Sequence, residues 1–272
     1  MPCASICPDP PIAQHMKDIQ SLRDDRRINI KKVGVKDISY PITVLDRANK
    51  VQKTVARVNM YVNLPHQFKG THMSRFIEIL NHFHGDINLR GFQLILQETK
   101  DKLQAEAAHM EIEFPYFFKK KSPATGKMEL SEYLCKMHGS LEEDDDLSLE
   151  IAVPIAPPLP VQTGSGLPES LGHWGTANIC LRFRHFIWME ELIELAEGVT
   201  SHDLQWSASS PKPPDYPLSV EKIAKNLGEK LASHPSIRWF SVTVENLSQG
   251  FSTFATIEWP DNDNPSPTYC VH

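Results

Sequence analysis

The chain predicts an α+β protein in which helices cover one face of antiparallel sheet. Three observations carry that prediction. Several segments alternate apolar and polar residues with period two, the signature of half-buried strands. Between them lie stretches whose apolar residues recur at helical spacing. The order strand-strand-helix-helix-strand-strand then occurs a second time, which suits a layered α+β architecture.

Taken in order, Thr54, Ala56, Val58, Met60, Val62 and Leu64 share one face of segment 54–64, with Arg57, Asn59 and Asn63 on the other. Segment 40–46 is expected to pair with it through the polar turn Arg47-Ala48-Asn49-Lys50. Helices follow at 71–84 and 89–107, the second with Phe92, Ile95, Leu96, Thr99 and Leu103 along one stripe. Strands return at 109–118, with Met110, Ile112 and Phe114 inward, and near 132–139. The second round has strands at 147–155 and 176–186, the latter alternating Ala177, Ile179, Leu181 and Phe183. Helices at 188–197 and 219–233 come next, the second striped by Val220, Ile223, Ala224, Leu227 and Leu231, and strands 237–247 and 251–259 close the set.

Each ββααββ unit, 21–140 and 147–260, is expected to form a four-stranded sheet with two helices on one face, between tails at 1–20 and 261–272. The outer edges of such sheets are left unpaired, and closing sheets into a barrel through oligomerisation removes that liability. A homo-oligomer is predicted on that ground. The five acids at 142–146 read as a solvated loop, because no glycine or spaced ligand pattern of a calcium loop accompanies them. Lys119, Lys120 and Lys121 read as solvated charge, with a triphosphate-facing patch as the alternative. Segment 207–217, rich in serine and proline, reads as a surface connection.

Hydrophobic residues make up 40% and charged residues 23% of the 272-residue chain, an ordinary balance for a soluble protein. A net charge of -6 argues against non-specific binding to nucleic acid or anionic membranes. No apolar run approaches the roughly 20 residues needed to span a bilayer, and 1–20 lacks the pattern of a secretory signal. The five cysteines, Cys3, Cys7, Cys135, Cys180 and Cys270, are scattered and read as reduced thiols of a cytoplasmic protein. Cys3, Cys7 and His15 could clip a metal, but a disordered tail is the favoured reading there. His82 and His84 stand two apart on a helix and do not share a face, so they are no metal pair. No nucleophile elbow, Walker loop, dinucleotide turn or paired zinc motif is present.

Five strings together resemble the type IB GTP cyclohydrolases. They are Ser21-Leu-Arg-Asp-Asp-Arg-Arg-Ile28, Val33-Gly-Val-Lys-Asp-Ile-Ser-Tyr-Pro-Ile42, Gly70-Thr-His-Met-Ser-Arg-Phe76, Phe114-Pro-Tyr-Phe-Phe-Lys-Lys-Lys-Ser-Pro123 and Val244-Glu-Asn246. In order, they carry the likeness from about Ser21 to Pro260. The resemblance implies the tunnelling fold, a tetramer-like assembly, and a purine or pterin pocket at a subunit interface. It also implies opening of the imidazole ring of GTP by a metal-bound water, giving dihydroneopterin triphosphate. That chemistry needs a Lewis acid and ligands such as thiolate and imidazole to hold it.

The chain departs from this pattern where the ligands belong. The family's Cys-Pro-Cys falls at Leu159-Pro160-Val161, and segment 153–175 contains no cysteine and one histidine, His173. Gly-Ala-His aligns with Gly172-His173-Trp174, placing the imidazole one residue early, which turns it to the other side of an extended segment. His-x-His aligns with Phe251-Ser252-Thr253, and the acid before it with Ser248. The sequence therefore predicts no metal and no other cofactor.

What remains is a short set of candidates. Glu221 matches a family acid and could grip the N–H edge of an aminopyrimidine; its other reading is a helix-start charge stabilised by the dipole. His173 beside Trp174 reads as an acid/base group with a stacking ring, or as a loop histidine beside a packed indole. Glu221 and His173 are the candidate catalytic residues; Glu221, Trp174, Glu245 and Arg75 are the candidate substrate contacts. The expected partners are further copies of the chain and a small heterocycle such as a purine nucleotide or pterin. Three functions follow: a metal-free or altered reaction on a related heterocycle, a non-catalytic binding or scaffolding protein, and GTP opening through substitute ligands drawn from His173, Glu221 and Glu245.

Overall fold

Strand and helix assignments come from a computed structural model, which describes residues 30–64, 73–85, 89–121, 128–143, 145–155, 175–202, 219–247 and 251–259. The elements run β1 (Ile30–Asp46), β2 (Lys50–Leu64), α1 (Ser74–His82), α2 (Leu89–Leu103), β3 (Ala107–Lys121), β4 (Met128–Leu141), β5 (Asp145–Ile155), β6 (Gly175–Phe183), α3 (Met189–His202), α4 (Val220–Ala232), β7 (Ile237–Leu247) and β8 (Ser252–Trp259). All eight strands join one antiparallel sheet in chain order, β1 to β8. Sequence reasoning expected two four-stranded sheets. A continuous ladder from Leu141↔Asp145 to Leu134↔Ala152 merges them.

That ladder corrects the reading of the acidic run. Its last member, Asp146, lies in β5 opposite Ser140 and takes a hydrogen bond from Arg182 Nη2 at 2.6 Å. A buried guanidinium drew the carboxylate into the sheet, which composition could not reveal. β1 begins ten residues before the expected 40–46 strand. Register shifts between Ile30 and Val33 and between Val35 and Ile38 break the period-two pattern there. At the second shift Asp37 has φ 57°, and its N–H donates to Asn59 Oδ1 at 2.9 Å.

The helix boundaries are set by backbone stops. α1 ends before His84 and Gly85, at φ 50° and 77°. α2 ends at Leu103 because Gln104 turns to φ 49°, freeing Ala107 to open β3. Phe92, Ile95, Leu96, Thr99 and Leu103 are all buried, as the stripe required. α4 starts at a Ser219 cap whose side chain accepts from the Lys222 N–H at 3.1 Å. Its stripe of Val220, Ile223, Ala224, Leu227 and Leu231 is buried.

The core lies between the helices and one sheet face: Val58, Met60, Ile112, Phe114, Cys135, Ile151, Ile179, Leu181, Val242 and Val244 all join it. Phe92 sits so close over Gly139 that a Cβ there would strike its ring. Helix α3 also reaches across to the long strands of the first half. Glu190 Oε1 accepts from the Arg47 N–H at 2.7 Å, and Glu197 meets both Lys120 Nζ and Tyr133 OH. Lys120 is thus a tie between β3 and α3 rather than solvated charge, because Glu197 and Tyr133 offer acceptors beside its chain. Among the described residues, no helix is long and apolar enough to cross a membrane.

Candidate functional site

The sheet face away from the helices is polar, and it borders a half-open cavity of about 740 Å³. Its lining follows directly from strand alternation. Each core residue is flanked by neighbours on the opposite face, and those neighbours are Arg57 and Asn59, Glu111 and Glu113, Lys136 and His138, Ser148 and Glu150, Asn178 and Cys180, then Ser241, Thr243 and Glu245. Asp37 enters from the β1 bulge, while Phe254 and Thr256 enter from β8. Five carboxylates (Asp37, Glu111, Glu113, Glu150, Glu245) face two permanent cations (Arg57, Lys136), so most of this wall repels anions. The cations are shared out at long range: Arg57 to Asp37 at 3.8 Å and Lys136 to Glu113 at 3.8 Å.

Within the wall, Glu111 accepts from Asn59 Nδ2 at 3.0 Å and from Tyr61 OH at 3.1 Å. Burial alone would raise its carboxyl. The two hydrogen bonds, with the charges of His138 and Lys32, outweigh burial and hold it below the usual carboxylate range. His138 lies directly opposite Glu111 on β4. Burial depresses its imidazole, with Lys32 and Arg182 acting the same way, against the opposing pull of Glu111 and Asp146. The pair is therefore a carboxylate beside a neutral imidazole at neutral pH.

Glu245 and Phe254 face one another across the β7–β8 pair. Phe254 is 70% exposed among the described residues, a large apolar ring on the cavity side of β8. An exposed aromatic face beside a carboxylate is what a flat, N–H-bearing heterocycle requires: the ring stacks and the carboxylate accepts.

The residues singled out from sequence divide three ways. Glu245 is in the cavity wall. Glu221 stands exposed in the first turn of α4, in the helix layer, and Arg75 is exposed on α1 with Nη1 donating to Lys102 O at 3.3 Å. Neither reaches the cavity, whose lining comes from strands. His173 and Trp174 lie outside the described residues. Sequence reasoning missed Asn59, Glu111, His138 and Arg182. Alternation marked them as facing away from the core, but only strand pairing brings them into one row.

Comparison with known proteins decides the family. Residues 16–248 match the family described as type I GTP cyclohydrolase FolE2. The chain belongs to that family. GTP cyclohydrolase FolE2 of Syntrophobacter fumaroxidans is 44% identical over 254 residues, covering 89% of this chain and 99% of that one. GTP cyclohydrolase FolE2 of Geobacter sulfurreducens is 46% identical over 259 residues, covering 89% and 98%. The family description does not carry the type IB label of the sequence resemblance, and the match stands at the family level. Among solved structures, the uricase of Arthrobacter globiformis superposes with a TM-score of 0.54 at 8% identity, covering 87% of this chain and 95% of that one. The urate oxidase of Bacillus sp. TB-90 does so at 0.55 and 9%, covering 85% and 99%. At such identities the likeness speaks for the fold alone, a uricase-like tunnelling type.

The resemblance implies a metal, and the residues at the positions where it expects thiolates and imidazoles do not fit one. Phe251, Ser252 and Thr253, where it expects two imidazoles, present an exposed phenyl ring and two exposed hydroxyls. Leu159, Pro160 and Val161, where it expects two thiolates, lie outside the described residues and carry no donor side chain. Zinc and iron sites are built from thiolate, imidazole and carboxylate.

Proposed function

We propose that this chain takes a purine- or pterin-type heterocycle into the polar cavity and acts on it without the cysteine-held metal of GTP cyclohydrolase chemistry. The observation that carries this reading is the Glu245–Phe254 pair, one carboxylate directly opposite one exposed ring in a nucleotide-sized cavity. Family membership supports the substrate class. The missing thiols and imidazoles at 159–161 and 251–253 support the change of chemistry. In this reading the heterocycle stacks on Phe254 while Glu245 accepts from its amino and ring N–H groups. Glu111 and His138 supply a paired proton acceptor farther along the wall.

A second reading has its own support. The curated relatives are named GTP cyclohydrolase FolE2 and share 39–46% identity with this chain over most of their length. On that basis the chain converts GTP to dihydroneopterin triphosphate with substitute ligands drawn from His173 and Glu245, Glu221 standing in the helix layer away from the cavity. We also infer a homo-oligomer, a tetramer by resemblance, because β1 and β8 are the outer strands of an open order and leave edges to be covered.

Titration calorimetry of the purified chain with guanosine, neopterin and GTP tests the first reading. Saturable binding that weakens about tenfold in Glu245→Gln, the loss of one charged hydrogen-bond acceptor, is expected. Absence of binding by all three in the millimolar range would sink it.

A further inference from the structure

The cavity wall sorts its polar groups by charge. In one row across β2 to β5, cations and carboxylates alternate: Arg57 stands opposite Glu113, Glu113 opposite Lys136, and Lys136 opposite Glu150. Arg57 also meets Asp37 at 3.8 Å, and Lys136 meets Glu113 at the same distance. Both cations of the lining are thus already set against carboxylates. Neither stands beside Glu245, whose cross-strand neighbours are Thr176 and Phe254.

Between these two zones runs a neutral strip. Asn178, Thr243 and Thr256 are directly opposed on β6, β7 and β8, and all three line the cavity. The hydroxyls of Thr243 and Thr256 lie 2.9 Å apart. The strip is two residues along the strands from Glu245 and Phe254, about 7 Å, where the substituent of a ring held by that pair would fall. Hydroxyl and amide groups both donate and accept, which suits the hydroxyls of a sugar or a polyol chain. A phosphate at the same place would lie between Glu245 and the row of Glu150, and like charges brought together out of water are costly. The basic residues nearby do not relieve it. Lys120 is tied to Glu197. Lys119 stands about 20 Å beyond Glu113 along β3, and neither it nor Lys121 lines the cavity. Lys32 and Arg182, which act on Glu111 and His138, are outside the lining as well.

We infer that the ligand of this cavity is unphosphorylated: a purine- or pterin-type ring carrying a neutral, hydroxylated substituent that lies on Asn178, Thr243 and Thr256. The acidic wall disfavours a nucleoside triphosphate. This rests on the heterocycle reading above and narrows its substrate class, away from the GTP in the names of the curated relatives.

The test is titration calorimetry of the full-length native chain, comparing guanosine with GTP at low and at raised ionic strength, and neopterin with pterin. Guanosine is expected to bind about tenfold tighter than GTP at low salt, with the gap closing as salt screens the wall. Neopterin, which has the hydroxylated chain, should bind more tightly than pterin, which lacks it. GTP binding as tightly as guanosine, or more so, would overturn the inference and leave the heterocycle reading standing. Equal affinities of neopterin and pterin would overturn the part given to the strip. Failure of guanosine, neopterin and pterin alike to bind would remove the heterocycle reading and the inference together. Two variants sharpen the result. Glu150→Gln should narrow the gap between guanosine and GTP, and an unmoved gap would contradict a preference set by the wall's charge. Thr243→Val, which removes the hydroxyl, should bring neopterin down to the affinity of pterin; a neopterin advantage that survives it would contradict the strip.

Discussion

The two faces of the single sheet are built from the same strands and answer to different physics. Toward the helices, Met60, Ile112, Phe114, Ile151, Leu181 and Val244 are buried without exception and interlock with Phe92, Ile193 and Leu227. On the other face, one residue away along each strand, stand Arg57, Glu111, His138, Glu150 and Glu245. Burial of carbon sets the first face and holds the fold. The second holds its charged side chains beside a cavity. Stability and specificity have been separated onto opposite sides of one layer.

The widest test of that division is a truncation on the apolar side. Phe92→Ala, removing a fully buried ring packed on Gly139, should cost about 3–5 kcal/mol in urea unfolding. It should act through stability, with heterocycle affinity in the surviving folded fraction unchanged.

Acidification probes the polar side. Burial, aided by His138 once it is protonated and by Lys32, moves the His109 imidazole from 6.5 down to about 4. Its folded value lies below its unfolded one, so the unfolded chain binds a proton that the native chain refuses. Stability on this account is full above pH 6.5 and drains as pH falls to about 4, by about 3 kcal/mol. His109→Gln should flatten that part of the pH profile in calorimetric unfolding; an unchanged slope would show the imidazole to be charged in the folded state.

Between the two extremes lies Gly175, where a Cβ would fall on the Glu245 carbonyl oxygen. Gly175→Ala should destabilise by about 1–3 kcal/mol, the range of overpacking. It should also weaken heterocycle binding, since it pushes on the strand that carries Glu245. A change in stability with affinity intact would detach Glu245 from the site. Smaller again is Ser219→Ala, worth about 1 kcal/mol of the α4 cap, with no effect on binding because α4 lies in the helix layer. Glu245→Gln closes the series: within about 0.5 kcal/mol of the native stability, with ligand affinity about tenfold weaker.

Much of this was legible in the residues. Alternation at 54–64 and 176–183 and the stripes through Phe92 and Val220 gave the elements, because burial imposes periods of 2 and 3.6 on composition. The start of β1 was not legible, since its bulges erase the period around Asp37. Nor was the single sheet, because the pairing of β4 with β5 hides behind an acidic run whose Asp146 is neutralised from another strand. The cavity escaped for a related reason. Glu111 and His138 are 27 positions apart in the chain and directly opposed in the sheet, and register is a property of pairs. Family likeness directed attention to loops and a helix start, where Glu221 and Arg75 stand apart from the cavity.

The claim beneath all of these is that the cavity has kept a heterocycle's surroundings and exchanged the metal-dependent chemistry for something else. Formate release from GTP by the purified chain, assayed with zinc, manganese or iron in turn, addresses it most directly. The account predicts no formate above the metal-only background while guanosine still binds. Stoichiometric formate, dependent on one of those ions, would contradict it.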